Sequence, residues 1–177
     1  MRTHSLLRLL RLPRLLRRAA QPNVLFGGVY GAVLASSMVA ALTQYPETGR
    51  ADRLYDAQWL LVTAVASALA HGYAHFIARR GAPAHPGGWR SLRILLDEWP
   101  LVAATLPTVL LMYGAGFGWW GSKDIEYAVF AVNIALLFGW GLLAARVAGR
   151  AWRSAVRLGV ADALLGVIVV VANAVIK

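Results

Sequence analysis

Long apolar runs alternate along the chain with short islands of charged residues. A helix needs about 20 consecutive, mostly apolar residues to cross the hydrocarbon core of a bilayer. These runs are too long and continuous for the alternating strands of a membrane β-barrel. We therefore predict an all-α polytopic membrane protein, a bundle of five transmembrane helices over residues 24–42, 57–78, 99–121, 127–145 and 158–176.

Lysine and arginine are divided unequally between the two sides of this bundle. Fourteen of the 18 basic residues fall in the N-terminal segment and in the loops after the second and fourth spans. Because an excess of Lys and Arg marks cytoplasmic loops, the pattern predicts a cytoplasmic N-terminus and an external C-terminus. Several tryptophans, including Trp99 and Trp152, lie near the predicted helix ends, as is typical of interfacial aromatics.

The first 22 residues combine leucines with arginines and are too polar to span a membrane. We predict that residues 1–22 form a basic amphipathic helix on the membrane surface, and that residues 23–177 form a single transmembrane domain. Arg8, Arg11 and Arg18 fall on one side of that helix and are candidates for contact with anionic lipid. The alternative is a simple positively charged anchor for the first span.

Composition removes several classes of function. The 177 residues are 59% hydrophobic and 15% charged, and cysteine is absent, which excludes disulfides and thiolate metal sites. The net charge of +10 could indicate nucleic acid, but the basic residues lie where a membrane protein places them. We therefore expect anionic lipid and no nucleic acid as partner. With no serine or cysteine nucleophile motif, an enzyme is not expected.

Small and polar residues within the spans predict how the helices pack. Two pairs of glycines have GxxxG spacing, Gly27 with Gly31 and Gly114 with Gly118. Such pairs predict that helices approach closely, either inside the bundle or at a dimer seam. Pro107 should kink the third span, because it removes a helical hydrogen bond. Asn133 and Asn173 are predicted to form hydrogen bonds between helices.

The second span carries a polar stripe that ends in two histidines. Asp56, Thr63 and Ser67 fall on nearly the same helix face as His71, and His75 is four residues further on. The i,i+4 spacing puts both imidazoles on one face, where they could share a divalent ion or relay a proton. This stripe is the candidate pathway.

Three acids fall at a similar depth near the same membrane surface. Asp97 and Glu98 begin the third span, and Asp162 lies near the start of the fifth. Imidazole and carboxylate ligands without thiolate suit iron, manganese or zinc, so His71, His75, Glu98 and Asp162 form the candidate metal set, with Asp97 on the pathway. The alternatives are structural. Asp97 and Glu98 could stabilise the N-terminus of their helix through its dipole, and Asp162 could pair with a neighbouring arginine.

From the third span onward the chain resembles the vacuolar iron transporter family. The likeness rests on the proline-containing stretch 101–107, on Gly139-Trp140-Gly141, on the basic segment 144–157 and on the glycines of 158–166. It implies a homodimer that exchanges Fe²⁺ or a similar ion for protons. It also implies that His75 stands where the family has a glutamate. The first span lacks the acid usual in that family, and the loop over residues 81–96 is short.

These observations predict a proton-coupled transporter of an iron- or manganese-like divalent ion, which would be its substrate and not a tightly bound cofactor. The alternatives are an oligomeric ion or proton channel lined by the polar stripe, and an accessory or scaffold subunit without transport. We expect a homo-oligomer, with a dimer favoured. The compact loops and the Arg- and Ala-rich composition suggest a bacterial inner membrane.

Overall fold

The computed structural model describes residues 21–44, 49–78, 97–121 and 124–176. These segments contain five α-helices and little else: α1 Pro22–Leu42, α2 Arg50–Ala78, α3 Trp99–Phe117, α4 Ile125–Val147 and α5 Trp152–Ile176. The all-α prediction is confirmed. The predicted amphipathic helix, with Arg8, Arg11 and Arg18, lies outside the described residues.

Four helices in the described part of the chain are long and apolar enough to cross a membrane: α1, α3, α4 and α5. The chain is thus consistent with an integral membrane protein. Helix α2 is the longest, at 29 residues, but it is less apolar because acidic and basic residues occupy its first turns and histidines its last turns. Both α2 and α5 begin several residues before the predicted spans, since a helix can continue beyond the hydrocarbon into the polar interface.

Proline and glycine mark several helix ends. Pro22 and Pro100 lie in the first turns of α1 and α3, where the missing N–H has no intrahelical partner to lose. Helix α3 ends at Gly118, whose φ of 78° is left-handed. Pro107 lies inside α3, as the sequence indicated.

Contacts at the helix ends fix the direction of each helix. Gly27 at the start of α1 lies against Pro100 at the start of α3, so these two helices are parallel. Gly28 lies against Trp140 near the end of α4, and Gly116 near the end of α3 lies against Leu54 at the start of α2. Helix α5 packs antiparallel to α4, so α1, α3 and α5 run one way and α2 and α4 the other. One end of the bundle holds His75 and the other holds Arg53; we call them the His75 end and the Arg53 end.

Helix α1 packs against all four other helices. Its buried face is built almost entirely of small residues, Gly27, Gly28, Gly31, Ala32, Ala35, Ser36 and Ala40, with Val39 among them. A Cβ at Gly31 would lie 2.5 Å from the Leu101 carbonyl oxygen, so the glycine is required by the close approach of α3. The GxxxG pair in α1 thus serves packing inside the bundle.

Candidate functional site

A histidine and a glutamate meet at the His75 end, where α2 finishes and α3 begins. The Nδ1 atom of His75 lies 3.0 Å from the Glu98 carboxylate. Glu98 is the N-cap residue of α3, and its side chain is only 8% exposed, whereas that of His75 is 54% exposed. The buried Glu98 carboxylate therefore contacts an imidazole that is itself half-exposed at the surface of the bundle. When the imidazole is protonated, the contact becomes a charge-assisted hydrogen bond.

The second histidine lies one turn deeper on α2. The rings of His71 and His75 are 6.2 Å apart, as expected for i,i+4 neighbours on one helix face. His71 also contacts α1, where its ring meets Tyr30 edge-on at 4.9 Å and Phe26 at 5.4 Å. Two aromatic rings thus hold His71 against α1, while His75 faces Glu98.

The other two predicted acids lie apart from this pair. Asp97 is exposed. Asp162 on α5 packs against α4, with its carboxylate next to Gly141, where only a residue without a side chain leaves room for it. Across residues 21–44, 49–78, 97–121 and 124–176, no three His, Asp or Glu side chains gather into a group that could hold one metal ion. The structure brings together His75 and Glu98, with His71 beside them, and leaves Asp162 separate.

The part of the polar stripe nearest the Arg53 end makes contacts within the bundle. Asp56 lies 3.5 Å from the Arg53 guanidinium, and both side chains are buried. The Thr63 hydroxyl lies 3.9 Å from the sulfur of Met38 on α1. Ser67 is half-buried. The stripe therefore faces α1 and the interior over part of its length.

Sequence reasoning did not identify the ion pair at the Arg53 end. Arg53 is buried and lies 3.3 Å from Glu126 at the start of α4, in addition to its contact with Asp56. One guanidinium thus contacts two carboxylates, while the Arg53 Nε atom is buried without a hydrogen-bond partner among the residues that the structure describes. The apolar pattern predicts a second span that begins at residue 57, which leaves Arg53 in the preceding loop. The available signal was the i,i+3 spacing of Arg53 and Asp56.

Asn133 forms the predicted hydrogen bond between helices, whereas Asn173 bonds to a residue in the turn just after α1. Thr108 on α3 donates to the Asn133 carbonyl oxygen on α4 at 2.9 Å, and both residues are fully buried. Gln44 donates to Asn173 on α5 at 3.3 Å, which ties the end of α1 to the end of α5. The Asn133 amide nitrogen has no partner among the described residues.

The acid and imidazole groups can bind and release a proton, and His75 with Glu98 supplies two ligands of types that iron, manganese and zinc accept. Family models, curated proteins and solved structures were all compared with the chain, and none matches it. The resemblance to vacuolar iron transporters therefore stays a prediction from sequence.

Proposed function

We propose that this chain is an integral membrane transporter that exchanges a divalent cation for protons at His75 and Glu98. The observation that carries the proposal is the 3.0 Å contact between a half-exposed imidazole and a buried carboxylate on two different helices. In this proposal, a proton and a divalent cation use the same position between the imidazole nitrogen and the carboxylate. Binding of the cation would displace that proton, so that the two substrates compete for one pair of ligands.

Other features of the His75 end support this proposal. His71 lies one turn away, with its ring 6.2 Å from that of His75. Helix α2, which carries both histidines, is also the least apolar of the five helices, as expected where water and ions approach. We propose that α2 also spans the membrane, which brings the number of spans to five. We further propose that the His75 end, which carries the basic α4–α5 loop, faces the cytoplasm.

Further parts of the proposal rest on the sequence. The substrate is an iron- or manganese-like ion, because imidazole and carboxylate suit these metals as well as zinc. The chain works as a homodimer in a bacterial inner membrane. Asp162 is assigned no direct part in metal binding, since its contacts lie on α4.

The test is ion flux in liposomes that contain a pH-sensitive dye and the purified chain. Addition of Fe²⁺, Mn²⁺ or Zn²⁺ should drive saturable metal uptake with proton movement in the opposite direction. His75→Ala and Glu98→Gln should abolish both fluxes. Asp124→Asn is the matched control, because it removes an exposed acid at the Arg53 end, opposite to the proposed site. Proton or ion current without saturation would favour the channel alternative.

A second candidate function is an accessory subunit of a larger membrane complex. The observation in its favour is that α5 is mostly unburied. In the most apolar stretch of α5 only 11% is buried inside the bundle, compared with 56% in the corresponding stretch of α3. A folded protein with no flux of any ion, and with a partner chain that copurifies at fixed stoichiometry, would support this function over transport.

A further inference from the structure

Four arginines crowd the short hairpin that joins α4 to α5 at the His75 end. Arg146 is in the last turn of α4, Arg150 is in the turn, and Arg153 and Arg157 are in the first two turns of α5. All four are exposed. The ion pairs of the described residues involve Arg53 and His75, so none of these four arginines has a carboxylate partner there.

The hairpin backbone is fixed by its own hydrogen bonds. The N–H of Gly149 bonds to the Arg146 carbonyl and that of Arg150 to the Ala145 carbonyl, both at 3.0 Å. Gly149 adopts the left-handed conformation that this type of helix end requires, with φ of 77°. The turn therefore presents its arginines from a defined backbone.

One of the four guanidinium groups is also held in place. The Arg146 side chain donates to the Arg150 carbonyl oxygen at 2.9 Å, and its guanidinium lies 4.4 Å from the centre of the Trp152 ring. A cation over an indole face is stabilised by the ring, and tryptophan favours the headgroup level of a membrane. Arg146 is nevertheless exposed, so its guanidinium stays accessible beside the other arginines.

The positive charge of the four arginines is not balanced by acids of the hairpin itself. Arg153 and Arg157 are four residues apart on one helix, a spacing at which like charges repel. No acid occupies the first turn of α5 to offset them. Because α4 and α5 are both apolar enough to span a membrane, their connection lies at the bilayer surface, where lipid phosphates are the most concentrated anions.

We infer that the α4–α5 hairpin is a binding site for the phosphate headgroup of an anionic phospholipid, formed by Arg146, Arg150, Arg153 and Arg157 beside Trp152. Arginine suits this ligand because its planar fork can donate two hydrogen bonds to one phosphate. The site is independent of metal transport, so either proposal can fail without the other.

The experiment measures lipid retained by the full chain in native mass spectrometry, after equilibration in detergent with equal amounts of phosphatidylglycerol and phosphatidylcholine. We expect preferential retention of phosphatidylglycerol. Arg150→Gln/Arg153→Gln should weaken that preference by about fivefold per arginine removed. These two side chains are exposed, so their loss should leave the fold intact, which circular dichroism checks.

Arg90→Gln/Arg93→Gln removes the same charge from the basic loop after the second predicted span and is the matched control. Retention of phosphatidylglycerol close to that of the unmodified chain in this control would support a specific site on the hairpin. An equal loss in both double variants would overturn the inference, because net charge alone would then explain binding. Full displacement by inorganic phosphate would likewise overturn it in favour of a soluble anion.

Discussion

The Arg53 guanidinium lies 3.3 Å from the Glu126 carboxylate and joins the start of α2 to the start of α4, with Asp56 as a second acid on the same cation. This contact lies at the end of the bundle opposite to His75 and Glu98. The Arg53 side chain is only 3% exposed, so the charges are removed from water. The two ends of α2 thus differ: one is closed by a buried ion pair, and the other has a half-exposed imidazole.

Loss of Arg53 should strongly destabilise the protein. Arg53→Met leaves two carboxylates buried beside one another, and breaking a buried ion pair from one side costs about 3–5 kcal/mol. Glu126→Gln should cost less, because Asp56 still compensates the arginine. The free energy of unfolding, measured by denaturant titration in detergent micelles, tests both.

Arg50→Met is the matched control for this prediction, since Arg50 precedes Arg53 by three residues and is exposed. It should change the free energy of unfolding by less than about 1 kcal/mol. Equal effects of the two substitutions would mean that the ion pair contributes nothing beyond the loss of a surface charge.

The glycines of α1 should tolerate no side chain where α3 approaches. Gly31→Ala places a methyl group 2.5 Å from the Leu101 carbonyl oxygen and 2.7 Å from the Ala104 Cβ, so one helix must move. We expect a loss of about 1–3 kcal/mol, as for other overpacked interiors. Gly139→Ala is the control, because a Cβ there would have no atom of the described segments within 4 Å. Comparison of the two melting temperatures in the same detergent checks the prediction.

Helix type and approximate position could be predicted from sequence, because the length of an apolar run and the location of charges are local properties. The pairing of His75 with Glu98 could be predicted only in part. Counting residues from the basic loops gives the depth of a side chain in the membrane but not its position around the bundle. Asp162 has a similar predicted depth, yet it packs on α4 next to Gly141.

The contact between Arg53 and Glu126 could not be predicted from the sequence, for a related reason. The two residues are 73 positions apart, and helical periodicity does not determine which neighbour a face will meet. The sequence also left open whether the α1 glycines form internal contacts or a dimer seam. That choice depends on where Leu101 and Trp140 lie, and hence on the packing of three helices at once.

The orientation of the bundle can be tested directly because the chain contains no cysteine. Arg150→Cys reports on the α4–α5 hairpin at the His75 end, and Gly121→Cys reports on the Arg53 end. Both positions are exposed. With the His75 end in the cytoplasm, a membrane-impermeant maleimide added to intact cells should label Gly121→Cys, and Arg150→Cys only after permeabilisation. The reverse pattern would show the opposite orientation.

The hydrogen bond between Thr108 and Asn133 should stabilise the contact of α3 with α4. Thr108→Val keeps the shape of the side chain but removes the hydroxyl that bonds to the Asn133 oxygen at 2.9 Å. The asparagine, whose amide nitrogen already has no partner in the described segments, then loses the hydrogen bond to its carbonyl oxygen. We expect a loss of about 1 kcal/mol, since hydrogen bonds between membrane helices are modest in net value.

A double-mutant cycle separates this bond from packing. Thr108→Val/Asn133→Leu replaces both partners by apolar side chains, and removal of both sides of a buried bond can be nearly neutral. The double variant should therefore be more stable than the sum of the two single variants predicts, when unfolding is measured in one detergent. Additive effects would contradict the prediction, because residues that share a hydrogen bond should be energetically coupled.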